Sequence, residues 1–291
     1  MTETATTQES VERTQWVPRA ATRHSLPFTI WAVPLTAVLL GAALAVVVGW
    51  AEPVRAIWWA ITGIYLVTAN VLLVAGLVRS DARRFGWANV VTSARSAIVG
   101  VITGSVAASF FASSFFTSHS ALSPAFVPVL VALCVPALAL DAVDGWVARR
   151  TGTVTALGGR FDMEVDAFLL LVLSAYVAPI LGWWVLAIGL MRYVFVAAGW
   201  LLPWLRTPLP PRYWRKVVTA VAGIALTVAA SGLLPALLPV GLSAVLPVGP
   251  TPGRPAAGAV VDVVLVAVAL ALLIESFGRD VVWLVRRRGH A

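Results

Sequence analysis

Apolar blocks of roughly 20 residues or more recur along this chain, each long enough to cross a ~30 Å hydrocarbon core as a helix. Short segments bearing arginine separate them. The chain has 291 residues, of which 60% are hydrophobic and 12% charged. That is about half the charged fraction of a soluble domain. The pattern describes an all-α, multi-pass integral membrane protein. Eight hydrophobic helices are expected, at 28–50, 55–78, 89–112, 123–145, 160–182, 183–205, 214–239 and 257–278. The turn near Gly182 is all that divides the fifth from the sixth, and the Pro- and Gly-rich stretch from Leu233 to Pro255 reads as a loop.

The pI of about 10.9 does not call for nucleic acid, because the basic residues sit between the apolar blocks. With both termini on one side, that side receives seventeen basic residues, whereas the other keeps Arg55 and Arg254. Arg95 and Arg192 fall within helices. The asymmetry assigns both termini to the cytoplasm of a cell membrane. Residues 1–27, mixing Glu3, Glu9 and Glu12 with Arg13, Arg19 and Arg23, lack the basic start and short apolar run of a signal peptide and read as a disordered cytoplasmic tail. Segment 79–88 mixes arginine and aromatic residues as an interfacial stretch would, and 279–291 reads as a basic cytoplasmic tail. Trp50, Trp87, Trp183, Trp184, Trp200, Trp204 and Trp283 fall where helices meet headgroups. The lone Cys134 is a packing residue.

Against this apolar background, five carboxylates crowd one window. It reads Asp141-Ala-Val-Asp144-Gly145-Trp-Val-Ala148-Arg149, followed by Gly158, Asp162, Glu164 and Asp166. No acidic residue lies between Ala82 and Leu140, nor between Asp166 and Asp262. Carboxylates beside a bilayer are costly, so such a cluster marks a functional site, and oxygen-only ligand sets hold hard divalent cations. On helices, Asp141 and Asp144 share one face, as do Asp162 and Asp166; two antiparallel helices would turn four carboxylates toward each other. Unpaired, they would repel; one or two divalent cations remove that repulsion. Gly145 and Ala148 leave room for a phosphorylated group, Gly158 permits close contact, and Arg149 offers a forked cation suited to phosphate oxygens. Glu164 lies off the shared face and is expected to be exposed.

The full pattern, Asp-x2-Asp-Gly-x2-Ala-Arg-x8-Gly-x3-Asp-x3-Asp from Asp141 to Asp166, resembles the signature of the CDP-alcohol phosphotransferase family. That resemblance implies a six-helix catalytic membrane domain, here 89–278, preceded by two additional transmembrane helices within 28–78. It also implies a homodimer and a Mg2+- or Mn2+-dependent attack by an alcohol on a CDP-linked phosphate, with CMP leaving. By motif position, Asp141, Asp144, Asp162 and Asp166 would ligate two ions, with Asp166 also the base. Gly145, Ala148, Arg149 and Gly158 would border the CDP moiety. The shorter run Asn89-Val-Val-Thr92-Ser-Ala-Arg95 is similar to one that opens the family's first core helix. These residues either line the nucleotide pocket, or Asn89 caps the helix, Thr92 bonds backbone and Arg95 snorkels to the interface.

Arg212, Arg215 and Lys216 open the seventh span and either retain that end in the cytoplasm or hold the phosphate of the acceptor or lipid. Arg192 is a further phosphate candidate; an interior arginine needs a partner, and a carboxylate across the bundle would serve equally. Gly100-x3-Gly104 is expected to pack within the protomer rather than form a dimer seam. The expected reaction is phosphatidyl transfer from CDP-diacylglycerol to an alcohol or polyol phosphate. Transfer of a CDP-alcohol head group to diacylglycerol is the alternative within the family, and a divalent-cation transporter the alternative outside it. Transporters place such residues near the midplane in paired repeats, and this chain carries no second copy of the cluster.

Overall fold

The computed structural model describes residues 29–51, 56–79, 87–115, 126–151, 156–207, 209, 212–233 and 256–288. Eight α-helices run through them: α1 (Thr29–Ala51), α2 (Ala56–Arg79), α3 (Trp87–Phe115), α4 (Phe126–Thr151), α5 (Ala156–Leu181), α6 (Leu186–Leu201), α7 (Tyr213–Ser231) and α8 (Ala256–Arg288). No strand occurs among the described residues. A helix bonds its own backbone polar groups, which hydrocarbon cannot do, so apolar blocks of this length become helices.

Six of these helices, α2, α3, α5, α6 (with the turn before it), α7 and α8, are long and apolar enough to cross a membrane. The apolar stretches of α1 and α4 are shorter, Pro34–Trp50 and Phe126–Asp141. In α4 the stretch ends where the carboxylates begin. Large side chains such as Leu39, Val47, Ile64, Leu72, Val194, Ile224 and Ile274 face outward, as lipid-facing residues do.

Several boundaries differ from expectation, among them the fourth helix, which runs on to Thr151 rather than 145; three others have a local reason. The sixth helix stops at Leu201 because Pro203 cannot continue its hydrogen-bond ladder; a 3-10 turn, Pro203–Arg206, follows. The seventh stops at Ser231, where Gly232 takes a left-handed φ of 64°. The eighth runs on to Arg288, so residues 279–288 are helix rather than tail. Charged residues sustain that extension: Arg279 pairs with Glu275 one turn back. Between α5 and α6 the chain turns as expected at Gly182, φ 115°, into the 3-10 turn Trp183–Val185. The expected N-terminal tail, all but the ends of 79–88, and the expected loop beyond Leu233 lie outside the described residues.

α3 is the centre of the bundle. Of its apolar stretch 67% is buried, against 22% for α2, and it packs against α1, α2, α4 and α5. α7 packs on α4, α5 and α8, and α6 on α5. Val99, Ile102, Leu130, Cys134, Leu173, Val177, Leu226 and Ala269 form one continuous core through these helices. Cys134 is buried and free, as a packing residue.

The Gly100–Gly104 pair seats α2 inside the protomer. A Cβ on Gly104 would stand 2.0 Å from Thr62 Oγ1 and 3.1 Å from the Trp58 carbonyl oxygen. Beside it, Trp58 Nε1 donates to Ser105 Oγ at 3.0 Å. Packing of this closeness, rather than hydrophobic exclusion from water, joins helices in lipid. Gly104→Val is therefore expected to cost about 1–3 kcal/mol through overpacking, read as a lower melting temperature in detergent. A melt identical to wild type would show that α2 does not rest in this groove.

Candidate active site

The acidic window folds as the helical spacing anticipates. Asp141 lies in the second half of α4, and Asp162 and Asp166, one turn apart, lie in the first half of α5. One carboxylate oxygen from each of the three falls within 4.8 Å of the others.

What brings them together is a residue on a third helix. Arg95 of α3 is completely buried, and its guanidinium sits among the carboxylates. Nη1 donates to Asp141 Oδ1 at 2.7 Å. Nη2 donates to Asp162 through both the carboxylate and the carbonyl oxygen, the latter at 3.2 Å, and stands 3.1 Å from Asp166 Oδ1. An interior guanidinium this dry needs anionic partners. Its burial overturns the snorkelling reading: Arg95 reaches inward to the aspartates rather than outward to the interface. Thr92, one turn earlier on α3, is also buried.

The carboxylates are less enclosed than the arginine, their side chains 37%, 20% and 23% exposed for Asp141, Asp162 and Asp166, against 1% for Arg95. Arg95 thus backs the cluster, and part of each carboxylate remains open. Three carboxylates against one guanidinium leave a formal excess of two negative charges, the charge of one divalent cation. Oxygens around a Mg2+ at ~2.1 Å lie about 3 to 4 Å apart, so closure of under about 2 Å would complete a common ligand set. The donor set and its charge fit a divalent ion.

Asp144, Gly145, Ala148 and Arg149 lie on the α4 backbone, with Asp144 three residues beyond Asp141 and so on its face of the helix. Asn89 lies on the first turn of α3. The side chains of these five are outside the described residues. Gly158, half-buried, lies in the first turn of α5, four residues before Asp162.

The remaining basic candidates stand apart from the aspartate triad in their contacts. Arg192 on α6 pairs with Glu164 on α5, their side chains 28% and 53% exposed. Of the two expectations for Arg192, the carboxylate partner is the one found, and Glu164 is exposed as expected. Arg212 precedes α7 and is exposed, as is Lys216. Arg215 places Nε 3.6 Å from Oδ2 of Asp280, a carboxylate 6% exposed on α8. Next to it, Trp214 Nε1 donates to Glu275 Oε2 at 3.0 Å. Sequence reasoning missed Asp280 because it ended the last helix near 278, and it passed over Glu275 inside that helix; the i,i+4 spacing of Glu275 to Arg279 was the available signal.

A model of the CDP-alcohol phosphatidyltransferase family matches residues 85–248, more than half of the chain and inclusive of α3 to α7. Neither a curated protein nor a solved structure matches. The chain belongs to the CDP-alcohol phosphatidyltransferase family, membrane-embedded transferases of substituted phosphate groups that depend on a divalent metal and use CDP-alcohols with alcohol acceptors. Helices α1, α2 and α8 lie outside the match.

The charge balance of the triad makes a prediction. Arg95→Gln leaves three neighbouring carboxylates without their buried counter-charge, a loss of about 3–5 kcal/mol for a broken buried pair. Its melting temperature in EDTA is expected to fall, and added Mn2+ is expected to restore part of the loss by supplying positive charge. A variant that melts like wild type in EDTA would contradict the bridging role.

Proposed function

We propose that this protein is a phosphatidyltransferase that moves the phosphatidyl group of CDP-diacylglycerol onto an alcohol or polyol phosphate, releasing CMP. The observation that carries the reading is the meeting of Asp141, Asp162 and Asp166 around Arg95, with half-open carboxylates, inside a bundle matched to this family. The site would join one lipid and one soluble reactant, which suits carboxylates that begin where the apolar stretch of α4 ends. The seventeen-to-two distribution of basic residues supports a cytoplasmic site with both termini cytoplasmic in the cell membrane. A homodimer follows from the resemblance alone.

In this reading Asp141, Asp144, Asp162 and Asp166 hold two ions, Mg2+ or Mn2+. When bound, these would offset the pyrophosphate charge and stabilise the leaving CMP. Gly145, Ala148 and Gly158 leave backbone space for the cytidine nucleotide, and the guanidinium of Arg149 is a forked cation suited to phosphate oxygens. Asn89 and Thr92 open the helix that delivers Arg95, and Arg95 keeps the two carboxylate-bearing helices in register. Asp166 accepts the acceptor's hydroxyl proton as that oxygen bonds to the lipid-side phosphorus. The bond from that phosphorus to the CMP oxygen breaks in line, and CMP leaves as the phosphate monoester. Arg212, Arg215 and Lys216 attract the acceptor's or the lipid's phosphate, with Arg215 steadied by Asp280. Arg192, paired with Glu164, is not assigned to phosphate.

Purified protein with Mg2+ and labelled CDP-diacylglycerol, offered a panel of alcohols, tests this directly. CMP release is expected with one class of acceptor. CMP formed only from a soluble CDP-alcohol plus diacylglycerol would instead assign head-group transfer, and ion flux without CMP from any donor would assign transport. Asp166→Asn is expected to lower turnover at least about 100-fold, the scale of a lost general base, while nucleotide binding persists. Normal turnover in that variant would remove Asp166 from the base role.

A further inference from the structure

Helices α1 and α2 lie outside the family match, and the reading above gives them no task. Their contacts do. α2 touches two of the three helices that meet in the acidic centre: α3, which carries Arg95, and α5, which carries Asp162 and Asp166. It does so at the level of the site.

Tyr65 of α2 is the junction. Its hydroxyl lies 3.3 Å from Oγ of Ser96, the residue after Arg95. Its ring stacks on Phe168 of α5, centroids 5.1 Å apart and planes 29° apart, two residues beyond Asp166. The ring fits there because Gly100 has no side chain; a Cβ at that position would come within 2.7 Å of Tyr65 Cδ1. Two turns further along α2, Leu73 and Leu77 are buried against Leu157 and Phe161, the latter next to Asp162. Gly76 lets the chains close up, since a Cβ there would stand 2.7 Å from Leu157 Cδ1.

We infer that α2 is a clamp that fixes the separation of α3 and α5, and that Tyr65 is the positioning residue through which it sets Arg95 against Asp162 and Asp166. Arg95 spans the two helices through short contacts, so a small shift of α3 relative to α5 would part the guanidinium from the α5 carboxylates. Those oxygens would then no longer converge on a common cation. Ring and hydroxyl act together: the stack holds α5, and the hydroxyl holds α3 beside the arginine. This deepens the metal reading of the acidic centre and rests on it.

The test is Mn2+ binding to the full chain in lipid nanodiscs, followed by electron paramagnetic resonance with no nucleotide present. Tyr65→Ala is expected to weaken Mn2+ binding about tenfold or more, the scale seen when a residue supporting metal ligands is lost. Tyr65→Phe, which keeps the stack but loses the hydroxyl contact to Ser96, is expected to recover only part of that affinity. Gly100→Ala displaces the ring without removing it, and is expected to fall between the two should Tyr65→Ala prove too unstable to purify. Trp58→Phe is the control: it removes the Ser105 hydrogen bond from the same α2–α3 contact, about 10 Å along the helix, and should lower the melting temperature with Mn2+ affinity unchanged. Equal Mn2+ affinity in wild type, Tyr65→Ala and Gly100→Ala would overturn the clamp while leaving the metal site intact. Equal weakening by Trp58→Phe would overturn it too, reducing α2 to general stability. A wild-type protein that binds no Mn2+ would overturn the metal reading and the clamp with it.

Discussion

A guanidinium with no access to solvent lies where three helices converge, and the arrangement of the active end follows from its need for partners. Arg95 is held by α3, the helix with the most buried apolar stretch among those that cross the membrane, and so is fixed in position by packing. Asp141 must approach it from α4, and Asp162 and Asp166 from α5. Taken alone, three aspartates on two helices would push those helices apart. With the arginine between them they are drawn to one place, and what is left over is a double negative charge facing outward. The ion pair thus contributes arrangement as much as stability. A buried pair replaced by apolar residues often costs nothing in stability, but such a replacement here would leave no site.

The surrounding bundle supplies the rigidity this arrangement needs. Close approaches at Gly100 and Gly104 bring α2 onto α3, and Gly76 brings it toward α5. At the far side, α7 and α8 are joined by a second polar group, Arg215 with Asp280 and Trp214 with Glu275. Charge within the described bundle is paired: Arg95 with three aspartates, Arg192 with Glu164 and Arg215 with Asp280. That pairing follows from the bilayer, beside which an unpaired charge is costly.

Much of this was legible before any coordinates. Eight apolar blocks bounded by arginine, glycine and proline became eight helices, because the length of a block and the needs of its backbone leave few alternatives. Helical spacing alone puts Asp162 and Asp166 on one face of α5. The extension of α8 to Arg288 was not legible, since hydropathy loses a helix once its residues turn polar, and pairs such as Glu275–Arg279 stabilise it only after it exists. Arg95 was the larger gap. Its partners lie 46 and 67 residues away, so its sequence neighbours carry no sign of them. The same holds for Arg192, whose partner Glu164 is 28 residues distant.

The account depends on a divalent cation resting against these particular oxygens. Anomalous diffraction from crystals grown with Mn2+ and a CDP-alcohol locates such an ion directly. The account predicts an anomalous peak in contact with oxygens of Asp141, Asp162 and Asp166, on the side of the carboxylates away from Arg95, adjoining the nucleotide phosphates. Bound nucleotide whose phosphates lie elsewhere, with no peak against these three residues, would contradict it.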